Sequence, residues 1–174
     1  TAGATATLTG VGTLVVNADG SFTFTPELNY DGPVPQTTYT ISDGNGKTAS
    51  STLDITITPV NDLPVAVDDS ASTTQDRPVS GDAIPNDSDP ENDPLAITDF
   101  TVNGVQYTPG TTATFAGVGT MVVNADGTFT FDPEPGFFGT LDVPYTVCDD
   151  ATPAGCATAT IKLVVAPADS DPDV

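Results

Sequence analysis

The chain has 174 residues, of which 24 are acidic and three are basic, so its formal net charge at neutral pH is −21. This charge excludes nucleic acid and anionic membrane surfaces as partners, because both are bound through Lys and Arg. No apolar run approaches the roughly 20 residues of a membrane-spanning helix, so no membrane span is predicted in this segment.

The first predicted elements form a hairpin, GVGTLVVNADGSFTFTP, from Gly10 to Pro26. Two alternating runs flank NADG, where Asn and Asp initiate a turn and Gly20 accepts the left-handed conformation. Residues 37–58 form a longer hairpin around DGNG, with apolar residues alternating after the turn as far as Ile57. No segment of helical period and length is evident. An all-β fold is therefore predicted, rather than the disorder that is common in acidic, proline-rich chains.

Acidic residues are concentrated in the middle of the chain, in PVNDLP, in VDD and in NDSDPENDPL (86–95). The last stretch carries four carboxylates at alternate positions with no basic neighbour, and Ca²⁺ binds such hard oxygen ligands. A helical calcium hand is excluded because no helices flank the stretch and no closing Glu follows, whereas a solvated acidic loop remains an alternative. The candidate calcium ligands are Asn61, Asp62, Asp68, Asp69, Asp87, Asp89, Glu91 and Asp93.

The two cysteines lie on either side of a hairpin loop, DDATPAG, with Cys148 before it and Cys156 after it. Cross-strand neighbours come within reach of a disulfide. We therefore expect a Cys148–Cys156 disulfide, which implies an oxidising, extracellular setting. A metal site built on the two thiolates is disfavoured, because the chain contains no His and no further Cys.

The chain contains an internal repeat, since the first hairpin returns as GVGTMVVNADGTFTFDP, 107 residues further along at Gly117. YTISD is likewise matched by YTVCD, and STLDITI by ATIKLVV. The predicted organisation is the C-terminal part of a first repeat (1–62), a complete second repeat (63–166) and a linker towards a next repeat (167–174). The first repeat is expected to be incomplete at its N-terminus. A tandem array of this kind is itself a functional clue.

These stretches resemble the cadherin-like tandem repeats of large bacterial surface and secreted adhesins. PVAVDD, NDSDPEND and ADGTFTF match the start, the acidic loop and the hairpin of such repeats, and PVNDLP resembles a cadherin calcium linker. Pro59 and Leu63 depart from the linker pattern, and Glu91 and Asn92 depart from the loop pattern. The resemblance implies tandem Ig-like or cadherin-like β-sandwich repeats that bind Ca²⁺ at the cell surface or outside the cell. The implied partners are other repeats of the same protein.

The predicted function is a calcium-stiffened extension module of an extracellular adhesin, and not an enzyme. The chain has no His for proton transfer and no Trp to stack on a sugar, and its acids lie in a row rather than across a cleft. One alternative is a subunit of an extracellular filament, in which a neighbouring identical chain completes the first repeat by strand addition. Another is a carbohydrate-binding module that uses Phe137 and Phe138, although these rings could equally plug the sandwich.

Overall fold

The computed structural model describes residues 2–168, and within that range the regular elements are all β-strands. The predicted all-β fold is confirmed. The chain divides into two compact units, Thr1–Val60 (unit 1) and Asn61–Val174 (unit 2). Across the described range, no helix is long and apolar enough to cross a membrane. The linker predicted at 167–174 lies outside the described residues from position 169 onward.

Unit 1 contains a three-stranded antiparallel sheet in the order β1-β2-β3 and a two-stranded hairpin, β4-β5. The NADG turn joins β2 to β3, as its sequence predicts. The strands are β1 (Thr5–Leu8), β2 (Gly12–Val16), β3 (Phe22–Pro26), β4 (Thr37–Ser42) and β5 (Thr48–Leu53).

Unit 2 contains a four-stranded sheet in the order β10-β11-β12-β7 and a five-stranded sheet in the order β6-β14-β13-β8-β9. Neighbouring strands are antiparallel except for β6 and β14, which run parallel. The strands are β6 (Asp69–Thr74), β7 (Val79–Asp82), β8 (Ala96–Val102), β9 (Val105–Tyr107), β10 (Thr112–Phe115), β11 (Gly119–Val123), β12 (Thr128–Pro133), β13 (Gly139–Cys148) and β14 (Cys156–Ala166).

The core of unit 2 lies between its two sheets. Buried and exposed residues alternate along β12 and over most of β14, because successive side chains of a strand point to opposite faces. Each sheet therefore turns one apolar face inward. The buried apolar side chains are Ala83, Ile97, Phe100, Val102, Ala113, Phe115, Met121, Val123, Phe129, Phe131, Val143, Tyr145, Val147, Ala159, Ile161, Leu163 and Val165.

The internal repeat is visible in the strand register. Gly12 pairs with Pro26 in unit 1 as Gly119 pairs with Pro133 in unit 2, and every pair of β1-β2-β3 has its counterpart in β10-β11-β12. The repeated sequence therefore forms the same three strands twice, as predicted.

The apolar faces of unit 1 are much more exposed than the matching faces of unit 2. Leu14 is buried at 2% exposure, but Phe22 is 49% exposed, Tyr39 38% and Ile41 62%. Among residues 2–60, no strands corresponding to β6 to β9 are present to cover these faces. Over residues 2–60, unit 1 thus forms counterparts of β10 to β14.

The second strand of the DGNG hairpin is shorter than the sequence predicts. Alternation of apolar residues predicts a strand through Ile57, whereas β5 ends at Leu53. Residues 55–57 and 31–34 border an open cleft of about 250 Å³ instead of pairing. The matching segments of unit 2 pair with each other, and β14 also pairs with β6. The predicted strand therefore ends four residues earlier than the alternation of apolar residues indicates.

Replacing Gly119 with Ala is expected to lower the free energy of unfolding of unit 2 by about 2 kcal/mol. Gly119 has a φ of +152°, and a Cβ at this position would overlap the backbone oxygen of Asp132 on β12. Thermal melting would measure the loss. Gly117→Ala is the control, because its φ is also positive but nothing lies within 4 Å of the added Cβ. Equal losses for the two variants would contradict the overlap as the cause.

Candidate functional site

The acidic loop connects β7 to β8 and lies beside the first residues of unit 2. Val65 and Ser88 form an isolated antiparallel bridge, with N–O distances of 2.7 and 3.1 Å. The backbone nitrogen of Asp62 also donates a hydrogen bond to Glu91 Oε2, at 3.2 Å. The structure therefore places the acidic loop beside the stretch that contains Asp62.

Asp89 is at the centre of this loop and is only 9% exposed. Its Oδ1 atom accepts hydrogen bonds from the backbone nitrogens of Glu91 and Asp93, at 2.9 and 3.1 Å. Its Oδ2 atom is buried and has no hydrogen-bond partner. A buried carboxylate oxygen without a partner is unfavourable, because it has lost its hydrogen bonds to water and forms none with the protein.

The pKa values of the Glu91 and Asp93 carboxyls are raised by burial and by neighbouring negative charges. Partial burial raises the pKa of both carboxyls, and the negative charge of Asp89 raises them further. The backbone hydrogen bond from Asp62 lowers the pKa of Glu91, whereas the negative charge of Asp62 raises it. The negative charges of Asp150 and Asp149 also raise the pKa of Asp93. A raised pKa favours the protonated form. The protonated Glu91 and Asp93 carboxyls therefore stabilise the folded state at low pH, and this contribution to the free energy of unfolding is lost as the pH rises through their folded-state pKa values.

Asp149 belongs to this region but was not among the predicted ligands. It is 6% exposed, and its carboxylate accepts a hydrogen bond from Asn61 Nδ2 at 2.8 Å and others from the backbone nitrogens of Ala151 and Gly155 at 3.0 Å. The hydrogen bond from Asn61 is the main reason that the pKa of Asp149 is lowered. The signal for it in the sequence is the YTVCD motif, which places an Asp at the same point as Asp43 in the first copy.

The Asp149 loop is closed by the predicted disulfide. Cys148 and Cys156 are bonded at an S–S distance of 2.06 Å, and they are the last residue pair of the β13-β14 ladder. The predicted disulfide is confirmed. Ser42 and Thr48 occupy the corresponding paired positions in unit 1.

Asp69 and Asp87 lie around the hydroxyl group of Tyr145 rather than around Asp89. The Tyr145 oxygen is 3.0 Å from Asp69 Oδ2 and 3.3 Å from Asp87 Oδ2, and it can donate its proton to one of them at a time. Burial is the main reason that the pKa values of both carboxyls are raised, and the same burial raises the pKa of Tyr145. Asp87 also accepts a hydrogen bond from the backbone nitrogen of Val67 at 2.7 Å.

Asp68 stands apart from both groups. Its carboxylate forms a half-exposed ion pair with Lys162 Nζ at 2.6 Å and accepts a hydrogen bond from the backbone nitrogen of Thr160 at 3.0 Å. The hydrogen bond from Lys162 is the main reason that its pKa is lowered. Asp68 lies immediately before β6, which begins at Asp69, and the two carboxylates have different partners.

The predicted carbohydrate-stacking pair is also divided. Phe137 packs against the core of unit 2, whereas Phe138 is 62% exposed. Phe137 therefore contributes to the sandwich, whereas Phe138 is exposed to solvent.

The ligand types around Asp89 fit Ca²⁺, which prefers carboxylate and amide oxygens. The buried, unpartnered Asp89 Oδ2 is the observation that favours a cation there. In the described part of the chain, no three acidic or thiol groups already surround one point closely enough to hold a metal ion. Binding would therefore require side chains to turn, and those of Glu91 and Asp93 are only half-buried.

Comparisons with known proteins agree with this description of the fold. Residues 61–164 match the family model "Bacterial Ig domain", and residues 2–58 match "Cadherin-like domain". No curated protein is significantly similar in sequence. The domains of both families are typically extracellular, of adhesion type and non-enzymatic.

Two solved cadherin structures have a similar fold. Protocadherin gammaB7 EC3-6 matches with a TM-score of 0.52 and 12% identity, over 93% of this chain and 40% of its own. The extracellular cadherin domains 1-5 of protocadherin gamma B2 match with a TM-score of 0.50 and 15% identity, over 94% of this chain and 32% of theirs. The chain thus spans less than half of either structure. Since the first family model covers more than half of the sequence, the chain belongs to the bacterial Ig domain family.

Proposed function

We propose that this chain is a calcium-stiffened extension module of an extracellular bacterial adhesin or surface protein. The carrying observation is the buried, unpartnered Oδ2 atom of Asp89. It lies in a loop whose neighbours are acidic, and that loop is bonded to the first residues of unit 2 through Asp62. An ion bound at this site would therefore connect the first residues of unit 2 to the acidic loop between β7 and β8.

Asp89, Glu91, Asp93, Asp62 and Asn61 would hold the ion. When bound, Ca²⁺ supplies the positive charge that this group of carboxylates lacks. The predicted ligands Asp69 and Asp87 surround the Tyr145 hydroxyl, and Asp68 is paired with Lys162. In this proposal these three residues stabilise the fold around the site and do not bind the ion.

The proposed stiffening follows from the contacts that attach residues 61–65 to the rest of unit 2. Asn61 donates to the Asp149 carboxylate, Asp62 donates to Glu91, and Val65 pairs with Ser88. Repulsion among unneutralised carboxylates weakens this attachment, because like charges close together in a partly buried loop repel strongly. Neutralisation would keep residues 61–65 fixed to unit 2 and so shorten the flexible part of the connection.

Calcium is expected to raise the melting temperature of unit 2. An ion that binds only the folded state stabilises it by about 1.4 kcal/mol at a tenfold excess over Kd. Extracellular modules bind Ca²⁺ with a Kd on the order of 10⁻⁴ to 10⁻³ M, so the comparison is between several millimolar calcium and a chelator. Identical melting curves in the two conditions would refute the calcium proposal.

Asp89→Asn and Asp126→Asn separate a calcium effect from a general charge effect. Asp126 is in the second NADG turn, where its Oδ1 accepts hydrogen bonds from the backbone nitrogen and the hydroxyl of Thr128. We expect Asp89→Asn to remove most of the calcium-dependent stabilisation and Asp126→Asn to preserve it. In chelator, Asp89→Asn should melt no lower than the wild type, because it removes a buried charge that has an unpartnered oxygen. Equal calcium responses of the two variants would place the ion elsewhere.

A further inference from the structure

The turn between β6 and β7 lies beside the end of β14 and carries a glutamine that contacts two other segments of unit 2. The backbone nitrogen of Gln75 donates to the carbonyl oxygen of Ala166 at 2.9 Å. Its side-chain Oε1 accepts a hydrogen bond from the backbone nitrogen of Ala168 at 2.6 Å, and its Nε2 donates to the carbonyl oxygen of Gly136. One half-buried side chain thus connects segments that lie 61 and 93 positions away in sequence.

The bond from Ala168 replaces the next step of the parallel β6-β14 ladder. The paired residues of this ladder end with Ala166 and Thr74. Because Gln75 donates to Ala166, continued parallel pairing would have Ala168 donate to the backbone oxygen of Gln75. Asp76, the next residue, has a φ of +62°, which ends the extended conformation of the strand. The side-chain oxygen of Gln75 therefore extends the ladder beyond the point at which the backbone leaves it.

The same turn also holds the loop between β12 and β13. The Oδ1 atom of Asp76 accepts a hydrogen bond from the backbone nitrogen of Gly136 at 2.9 Å, while Gln75 binds the carbonyl oxygen of Gly136. A positive φ is uncommon in a residue other than glycine and persists where surrounding contacts hold it. The contact with Gly136 therefore keeps Asp76, and with it Gln75, in position.

The hydrogen bonds fix the orientation of the Gln75 amide. Its oxygen can only accept and its NH₂ group can only donate. A reversed amide would place the NH₂ group against the N–H of Ala168 and the oxygen against the carbonyl of Gly136. Both ends of the amide are satisfied by backbone groups of the protein, so this bridge is complete without a cation.

We propose that Gln75 is a positioning residue that fixes the direction in which the chain leaves β14, and that it does so without a metal ion. The chain enters unit 2 beside the acidic group around Asp89, whereas residues 166–168 leave it beside Gln75. The two ends of the unit are therefore held by different chemistry. This role rests on the proposed extension function, in which the path of the leaving chain matters, but its contacts are separate from the calcium site.

The test is Gln75→Ala in the full chain, with hydrogen exchange and nitrogen relaxation measured at the Ala168 amide. We expect exchange at Ala168 to accelerate by about fivefold, the factor that corresponds to the loss of one typical hydrogen bond. The order parameter of the same amide should fall by at least about 0.2, from the rigid towards the flexible range. This fast motion of the folded state reports the position of the leaving chain rather than the free energy of unfolding.

The matched control is Gln106→Ala, which removes the same side chain from β9, at the opposite edge of the same sheet from β6. It should leave the Ala168 amide unchanged. No change at Ala168 in Gln75→Ala, or an equal change in Gln106→Ala, would overturn the proposal.

A second set of measurements in chelator separates this proposal from the calcium site. The effect of Gln75→Ala at Ala168 should be the same in chelator as in millimolar calcium, and an effect seen only with calcium would overturn the proposal. If calcium fails to stabilise unit 2 while the Gln75→Ala effect persists, the calcium site is refuted and the positioning role of Gln75 is supported.

Discussion

Replacing Phe129 with Ala is expected to destabilise unit 2 by about 3–5 kcal/mol, the usual loss for a buried Phe. Its ring is 3% exposed and packs directly over Gly81 of the neighbouring strand. Removal leaves a cavity over Gly81, on the core face of the paired strands β7 and β12. Denaturant unfolding, with the two units followed separately by amide signals, would measure the loss.

Phe22→Ala is the natural control for this substitution, because it removes the same ring from the same position of the repeat. Phe22 is 49% exposed, so we expect a loss of less than about 1.5 kcal/mol in unit 1. A comparable loss at the two positions would mean that Phe22 is buried in solution, and hence that unit 1 is already covered.

Removing the disulfide with Cys148→Ser and Cys156→Ser is expected to lower the stability of unit 2 by about 2–5 kcal/mol. The two cysteines are separated by eight positions, and closing a loop of that size is worth about 2.5 kcal/mol through the entropy of the unfolded chain. Thermal melting of the double variant beside the oxidised wild type measures the difference.

The reductant supplies the control for the disulfide prediction. Reduced wild type should melt near the double variant, and the double variant should not respond to reductant at all. Because the bond closes the loop that contains Asp149, we also expect faster amide exchange at Ala151 and Gly155, whose nitrogens donate to that carboxylate. Unchanged melting after reduction would show that the β13-β14 ladder alone fixes the loop.

The hairpins could be predicted from the sequence because their determinants are local. In both NADG turns the Asp carboxylate accepts a hydrogen bond from the nitrogen two residues later, at Ser21 and at Thr128. Such bonds depend on a few adjacent residues, so they form wherever the motif occurs. The end of β5 could not be predicted in the same way, because it depends on how far the strand pairs with β4, and that pairing ends with Thr37 and Leu53.

The grouping of the acids could be predicted only in part. The sequence indicates that Asp62, Asp89, Glu91 and Asp93 are close together, and the structure places them in one region. It does not indicate that Asp68 reaches Lys162, because that contact depends on the parallel pairing of β6 with β14. Asp149 was missed for a related reason, since its role depends on the approach of Asn61 across 88 positions of sequence.

The parallel pairing of β6 with β14 determines how unit 2 responds to a pulling force. β6 is the first strand of the unit and β14 is the last, and they pair side by side from Ile161 with Asp69 to Ala166 with Thr74. Tension along the chain pulls the start of β6 and the end of β14 in opposite directions along their common axis. The hydrogen bonds between them are then loaded in shear, all together, rather than opened one after another from an end. An array of such units would resist stretching best along the direction in which its chain runs.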